Sequence, residues 1–382
     1  MVYLDNNATT PLDPVVAEKM SLFLKENFGN PSSLYPIGRA VKDSMTQARE
    51  TIAQSLGAIR SEIFFTGSGT EADNFALRGV MESHKDRNEL IISKIEHPAV
   101  IETSNYLKKH GITVKYIPVD SYGTIDLDNL KNTISEQTAL ISIMHANNEL
   151  GTIQPLDDIV RIARQKDILV HTDAVQTFGK IDVNVKKLDV DLLSISAHKI
   201  YGPKGVGALY VRKGTPIRPL IFGGQQEREM RAGTENTIGI IAFGEAVRQM
   251  LEKREKDHKT IGKLAERLKQ GIEDNIPNVK FNGHDSHRIE GTLNFTFFGL
   301  EAEAILLALA TKDIYVSTGS ACSEDAEDVS HVLNAVGLKP EHARGAIRMS
   351  LGRFNTEEDI DTVLQELPEI VSKLRQISAV DM

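Results

Sequence analysis

The sequence has little cysteine, no long apolar run and no excess of basic residues, and each absence excludes a class of protein. Its 382 residues include a single cysteine, Cys322, so no disulfide can form within the chain. A disulfide-stapled secreted scaffold is therefore excluded. The opening residues MVYLDN do not form an apolar signal segment, so we expect a cytoplasmic protein. No stretch approaches the length of a membrane span, and no membrane contact is expected.

The charge balance also limits the possible partners. The net charge is −9, whereas a protein that neutralises nucleic-acid phosphates needs a basic surface. We therefore expect no direct nucleic-acid partner. An apolar content of 41% over this length is enough for a sizeable core and favours two domains over one.

Apolar strand segments alternate with helical segments through the first half of the chain. This alternation predicts an α/β fold with a largely parallel sheet wrapped by helices. The charged stretch 251–259 (LEKREKDHK) is typical of a solvated helix that bridges two units. We therefore expect an N-terminal arm (1–14) that packs on the small domain, a large domain (15–254), and a small α+β domain (255–382).

The most informative stretch of the sequence runs from Ile168 to Tyr210 and ends one of its apolar segments in Ser-Ala-His-Lys. A lone lysine after a strand usually extends into solvent. Here, however, Asp173, Gln176, Ser196 and His198 are expected at the same edge of the sheet as Lys199, and ligands bind at that edge in open α/β sheets. A lysine for a Schiff base and an acid for a pyridinium nitrogen are the two groups that pyridoxal phosphate requires of a protein. His97 and Asn148 are expected at the same edge, since each follows a predicted strand.

The sequence FTGSGTEADN indicates a strand, a glycine turn and a helix that opens near Thr70. Free N–H groups at a helix start make this arrangement suitable for binding a phosphate. Gly67 and Gly69 also imitate the dinucleotide fingerprint, so a nicotinamide oxidoreductase is an alternative. That fingerprint needs an acidic residue that binds the ribose, and the candidate Glu96 lies further along the chain than the expected spacing. A glycine turn without a ligand is a third interpretation.

Cys322 is surrounded by small and hydroxyl residues in STGSACS, which favours an exposed loop over the buried position typical of a single cysteine. Acidic residues follow it, and negative charge disfavours the thiolate. These residues are Glu324, Asp325, Glu327 and Asp328.

Ten motifs along the chain resemble, in the same order, those of pyridoxal-phosphate-dependent cysteine desulfurases of the class-V aminotransferase family. The motifs are LDNNATTP, FGNPSS, FTGSGTEADN, EHPAV, HANNELG, HTDAVQ, SAHKIYGPKG, RAGTEN, STGSACS and IRMSLGRF. The resemblance covers essentially the whole chain. It implies fold type I, with a mostly parallel seven-stranded sheet and a smaller C-terminal domain.

The resemblance also implies roles for residues at the cofactor. Lys199 would bind the cofactor aldehyde, Asp173 would keep the pyridine nitrogen protonated, and Gln176 would donate to the ring oxygen. His97 would stack on the ring and assist proton transfer. The phosphate would be held by Gly69, Thr70, Ser196 and His198, and by Thr234 of a neighbouring subunit, which makes a homodimer obligatory.

The remaining implied roles concern the substrate and the sulfur atom. Asn148, also near the cofactor, and Arg348 would bind the carboxylate of L-cysteine. Cys322 would accept the sulfur as a persulfide, leave L-alanine, and pass the sulfur to an acceptor protein such as an iron–sulfur scaffold. A selenocysteine lyase, an aminotransferase and a catalytically silent sulfur-trafficking partner are the alternatives.

Overall fold

The computed structural model describes residues 1–84, 86–318 and 329–377. Its strands are β1 Val2–Tyr3, β2 Ile63–Thr66, β3 Glu89–Ser93, β4 Thr113–Ile117, β5 Thr138–Ser142, β6 Leu169–Asp173, β7 Leu192–Ser196, β8 Gly207–Val211, β9 Val279–Asn282, β10 Thr292–Phe297, β11 Ile314–Tyr315 and β12 Ala346–Ser350. Its α-helices are α1 Pro14–Glu26, α2 Pro36–Ser55, α3 Gly69–Ser83, α4 Pro98–Lys109, α5 Leu127–Thr133, α6 Leu156–Arg164, α7 Val185–Leu188, α8 Thr237–Asn275, α9 Ala302–Ala310, α10 His331–Ala335, α11 Pro340–Ala343 and α12 Glu357–Ile377.

Seven strands form the large sheet, in the order β2-β8-β7-β6-β5-β3-β4. Strand β8 is antiparallel to both of its neighbours, and the pairs from β7 to β4 are parallel. Each parallel strand is almost completely buried apart from edge strand β4, as expected for a sheet that carries helices on both faces. The predicted α/β fold with a mostly parallel seven-stranded sheet is confirmed.

The C-terminal part contains an antiparallel sheet in the order β12-β10-β9. Its apolar core is separate from the cores that flank the large sheet. The N-terminal arm contributes to this smaller core, because β1 pairs with β11 and Leu4 is completely buried there.

Helix α8 connects the two parts as one continuous element. Its buried residues fall into two groups, from Gly239 to Met250 and from Leu264 to Ile272, and the charged stretch lies between them. The expected domain boundary at 254–255 falls inside this helix and stays a prediction. Among the residues that the model describes, no helix has the length and apolarity needed to cross a bilayer.

Candidate active site

The parallel strands of the large sheet end at one edge, and the polar residues singled out in the sequence lie along it. Asp173 is the last residue of β6, and Ser196 is the last residue of the neighbouring strand β7. A single helical turn, Ala197–Lys199, follows β7 directly. His97 follows β3 and caps helix α4. The fold thus gathers residues that are far apart in the chain.

The amine of Lys199 is held against the N-terminal arm. Its Nζ donates to the main-chain oxygen of Ala8 at 2.8 Å and to that of Asn7. The positive charge of Lys199 acts on both Asp173 and His97, and its contribution to the pKa of each is a decrease. Lys199, Asp173 and His97 therefore form one electrostatic group.

His97 is neutral near pH 7. Burial, with smaller contributions from Lys199 and His331, lowers its pKa to about 4. Its Nδ1 accepts a hydrogen bond from the Ala99 N–H at 3.1 Å, which caps helix α4. Because Nδ1 is an acceptor, the proton of the neutral ring is on Nε2. This ring nitrogen is therefore a donor.

Asp173 is a buried carboxyl group whose charge is expensive without a cationic partner. Burial raises its pKa to about 6, although the hydrogen bond from the Val175 N–H at 2.8 Å and the charge of Lys199 act in the opposite direction. Behind it lies Asp73, whose pKa is raised well above its usual value by burial and by Asp173. The Asp73 Oδ1 is 3.6 Å from His171 Nε2. The sequence gives no signal for Asp73, because a carboxylate within a helix is typical of an exposed face.

Gly69 and Ser196 face each other at the start of helix α3. A Cβ atom on Gly69 would lie 2.8 Å from Val175 Cγ2 and 3.6 Å from Ser196 Cβ, so a larger residue would require the Val175 side chain to shift. The Ser196 Oγ is buried and has no hydrogen-bond partner among the described residues. Ser68 caps the helix by accepting from the Glu71 N–H at 3.1 Å, and Thr70 is exposed in the first turn. An unpartnered hydroxyl beside a helix start suits a phosphate.

Two further residues expected at the phosphate are His198 and Thr234. His198 Nδ1 is 3.2 Å from Thr9 Oγ1 of the arm, and burial, Lys199 and Lys204 lower its pKa to about 4. Thr234 is exposed, in a segment that is tied to α3 by Arg231, whose Nε is 2.8 Å from Glu71 Oε1.

Arg348 projects from the middle of β12 and is only 3% exposed. Its Nη2 is 2.7 Å from Asp5 Oδ1, and its Nη1 donates to the main-chain oxygen of Asn148 at 3.4 Å. The Nε has no partner in the described part of the chain. The structure thus brings Asn148 and Arg348 together, with one buried donor left for a ligand.

Cys322 lies outside the described residues, but both flanks of its segment are anchored near Arg348. The Ser317 N–H donates to the Arg348 oxygen at 3.0 Å, and the Arg348 N–H donates back at 2.7 Å. On the other flank, Ser330 Oγ donates to Glu149 Oε2 at 2.6 Å, next to Asn148.

Gln176 is held by two residues that the sequence reasoning missed. Its Nε2 donates to the Asn7 main-chain oxygen at 2.9 Å, and its Oε1 accepts from Lys180 Nζ at 2.9 Å. Lys180 lies four residues after Gln176 in a run of turns, so its closeness in the chain was the available signal. Asn7 could be recognised only through the LDNNATTP motif.

Comparison with known proteins agrees with this geometry. The family model for class-V aminotransferases matches residues 2–363. The cysteine desulfurase IscS of Methanosarcina thermophila is 49% identical over 378 residues, which cover 99% of this chain and 93% of that protein. The cysteine desulfurase IscS of Dictyoglomus turgidum is 50% identical over 378 residues, which cover 99% of this chain and 96% of that protein.

Two solved structures are also similar. A NifS-like protein superimposes with a TM-score of 0.92 at 43% identity, over 98% of this chain and 100% of that chain. The structure described as SspA in complex with cysteine gives a TM-score of 0.82 at 36% identity, over 93% of this chain and 100% of that chain. The chain therefore belongs to the class-V aminotransferase family and, within it, to the pyridoxal-phosphate-dependent cysteine desulfurases.

Proposed function

We propose that this protein converts L-cysteine to L-alanine and transfers the sulfur atom to Cys322 as a persulfide. The observation that carries the proposal is the grouping of Lys199, Asp173 and His97 at the sheet edge, together with Arg348, whose buried Nε has no partner among the described residues. The similarity to proteins named cysteine desulfurases supports the same reaction.

The described residues fit pyridoxal phosphate. The unpartnered Ser196 Oγ and the close approach of Gly69 to it at the start of helix α3 suit the phosphate. The buried Asp173 suits a protonated ring nitrogen, since a cation beside it offsets the cost of burying its charge. Lys199 supplies the amine that holds the aldehyde covalently. When bound, the cofactor supplies an electron sink for the substrate carbon.

The protein side chains then divide the proton transfers between them. The Lys199 amine, when it is not holding the cofactor, would take the proton from the substrate Cα. His97 enters as a donor, because its proton is on Nε2 and its Nδ1 is engaged by the helix cap. Arg348 offers its Nε to the substrate carboxylate, while Asp5 and the Asn148 carbonyl hold the guanidinium in place.

The sulfur step uses the only thiol of the chain. The Cys322 thiolate attacks the substrate sulfur, the carbon–sulfur bond breaks, and its electron pair goes to the substrate carbon, which is then protonated. The net change is thiol plus cysteine to persulfide plus alanine, so atoms and electrons balance. Cys322 follows the anchored Ser317 by five residues, and five residues span at most ~17 Å, which permits access to the Arg348 side of the site.

Replacing Cys322 with serine tests the proposal. The Cys322→Ser variant should keep the cofactor absorbance and its change on adding L-cysteine, but lose persulfide and steady alanine formation. Ser323→Ala is the matched control in the same segment and should form both products. Because the chain has one cysteine, a thiol-labelling assay reports on Cys322 alone. Sulfide release by Cys322→Ser at the wild-type rate would contradict the proposal.

We also propose a homodimer in which Thr234 reaches the phosphate of the neighbouring subunit. Large apolar side chains are exposed around the α1–α2 loop and near the Thr234 segment: Phe28 is 82% exposed, Leu34 is 81% exposed and Phe222 is 79% exposed. Such side chains favour a protein interface. A second copy would cover them and bring a Thr234 with it.

The chemistry of Cys322 and the residues after it supports proposals for the sulfur acceptor and for the location of the protein. Four acidic residues follow Cys322, so we propose an acceptor with a basic docking surface, such as an iron–sulfur scaffold. We infer a cytoplasmic location, because a reducing compartment keeps the acceptor thiol available.

A further inference from the structure

A second lysine, Lys180, lies at the site and has no role in the reaction described above. Its Nζ donates to Asn7 Oδ1 at 2.7 Å and to Gln176 Oε1 at 2.9 Å. Burial, with the charges of Lys199 and Arg348 adding to it, lowers its pKa to about 7. Keeping a charged amine partly buried near two other cations costs free energy. The two hydrogen bonds that hold Lys180 there therefore require a physical reason.

The chemistry of an ammonium group explains them. The ammonium form can only donate hydrogen bonds, and the neutral amine still has two N–H donors for two oxygens, so the oxygen of each neighbouring amide faces the amine and each amide nitrogen faces away. Gln176 Nε2 accordingly donates to the Asn7 carbonyl at 2.9 Å and has a second N–H to offer. Asn7 Nδ2 accordingly donates to the Asn148 carbonyl at 3.0 Å and to Thr292 Oγ1 at 2.9 Å.

The hydrogen bonds of the Gln176 and Asn7 side-chain amides connect Lys180 to opposite sides of the site. Gln176 lies one turn after Asp173, and the Asn7 carbonyl that accepts from Gln176 also accepts from Lys199. On the other side, the Asn148 carbonyl that accepts from Asn7 also accepts from Arg348 at 3.4 Å. One amine thus fixes donors beside the cofactor position and beside the substrate carboxylate position.

We propose that Lys180 is a positioning residue that fixes the amide orientations of Gln176 and Asn7, so that Gln176 presents N–H, and not C=O, to an anionic oxygen of the cofactor. This inference rests on the proposed function. Without the ammonium, the amide of Gln176 can rotate and present its oxygen to that anion. Weaker cofactor binding follows, without any lost contact between Lys180 and the cofactor.

A neighbouring cavity allows the inference to be tested by chemical rescue. A cavity of about 110 Å³ is lined by Lys180 together with Asn7, Lys199 and Met250. In a Lys180→Ala variant, the space left by the side chain adjoins this cavity, so ethylammonium can enter and donate to the same two amide oxygens. Ethanol has a similar size but lacks the charge and the surplus of donors.

The experiment measures the dissociation constant of pyridoxal phosphate from the apoprotein, and KM and kcat for L-cysteine. Lys180→Ala and Lys180→Met should weaken cofactor binding by about ten- to a hundredfold, the usual effect of losing a hydrogen bond to a charged group. Ethylammonium, and not ethanol, should restore the affinity of Lys180→Ala. Lys186→Ala, which removes an exposed lysine from the same stretch, is the control.

The outcomes separate this inference from the proposed function. Unchanged cofactor affinity in folded Lys180→Met, with wild-type protein active, would overturn the role of Lys180 alone. Rescue of Lys180→Ala by ethanol as well as by ethylammonium would do the same, because simple cavity filling would then suffice. A wild-type protein that binds no pyridoxal phosphate would overturn both. Melting temperatures of the apoproteins identify any variant that fails to fold, and Lys180→Met then decides in place of Lys180→Ala.

Discussion

The edge of the large sheet and strand β12 supply functional side chains in different ways. At the sheet edge, Asp173 and Ser196 are terminal strand residues and Lys199 follows within one turn. In β12, Arg348 lies in mid-strand and is oriented by Asp5 of the arm and by the Asn148 carbonyl. The cofactor side is thus set by sheet topology. The substrate side depends on contacts between distant segments.

The largest expected effect comes from the sheet edge. Lys199→Ala should lower alanine formation by at least about a thousandfold, because it removes the residue proposed as both covalent anchor and base. The Thr234→Val variant should also form less alanine, because it binds the cofactor phosphate more weakly.

If Thr234 acts across the dimer, mixing Lys199→Ala with Thr234→Val protein leaves one intact site in each mixed dimer. Random re-pairing should then recover about a quarter of wild-type activity. Absence of recovery in verified mixed dimers would place Thr234 in its own subunit's site.

A smaller effect is expected from β12, confined to substrate binding. Arg348→Lys keeps the charge but loses the guanidinium fork that contacts Asp5, Asn148 and the carboxylate. KM for L-cysteine should rise about ten- to a hundredfold, while pyridoxal phosphate affinity stays within about twofold of wild type. Arg344→Lys, on a neighbouring turn, serves as control. Loss of cofactor affinity in Arg348→Lys would show that the two sides of the site are not separable.

The same difference explains what the sequence could predict. Asp173 and Lys199 could be found because each follows an apolar strand, and parallel strands end at one edge. Asn7 was missed because its contacts join segments far apart in the chain, which leave no periodic signal. Lys180 was missed because it lies in a run of turns, where a spacing of four residues does not predict a contact. Glu96, the weak point of the nicotinamide alternative, is fully buried, and its carboxylate accepts from the Met144 N–H at 3.0 Å. It is therefore not available to bind a ribose, and the family comparison removes that alternative independently.

Glu96 also gives the smallest expected effect, which concerns stability beneath the sheet edge. Burial raises its pKa to about 8, although hydrogen bonds from Ser93 and Met144 act in the opposite direction. Because the folded-state pKa exceeds the unfolded value of 4.5, the protonated group stabilises the fold fully below pH 4.5, and this contribution is lost as pH rises towards 8.

Glu96→Gln cannot ionise, so its melting temperature relative to wild type should increase by about 2–4 °C between pH 5 and pH 9. The exposed Glu102→Gln on helix α4 should show no such trend. Burial raises the pKa of Glu149 to about 7, against the hydrogen bond from Ser330 and the charge of Arg348. Because this pKa is raised less than that of Glu96, Glu149→Gln should gain less over the same range. A difference for Glu96→Gln that is independent of pH would mean that the fold does not raise the pKa of Glu96.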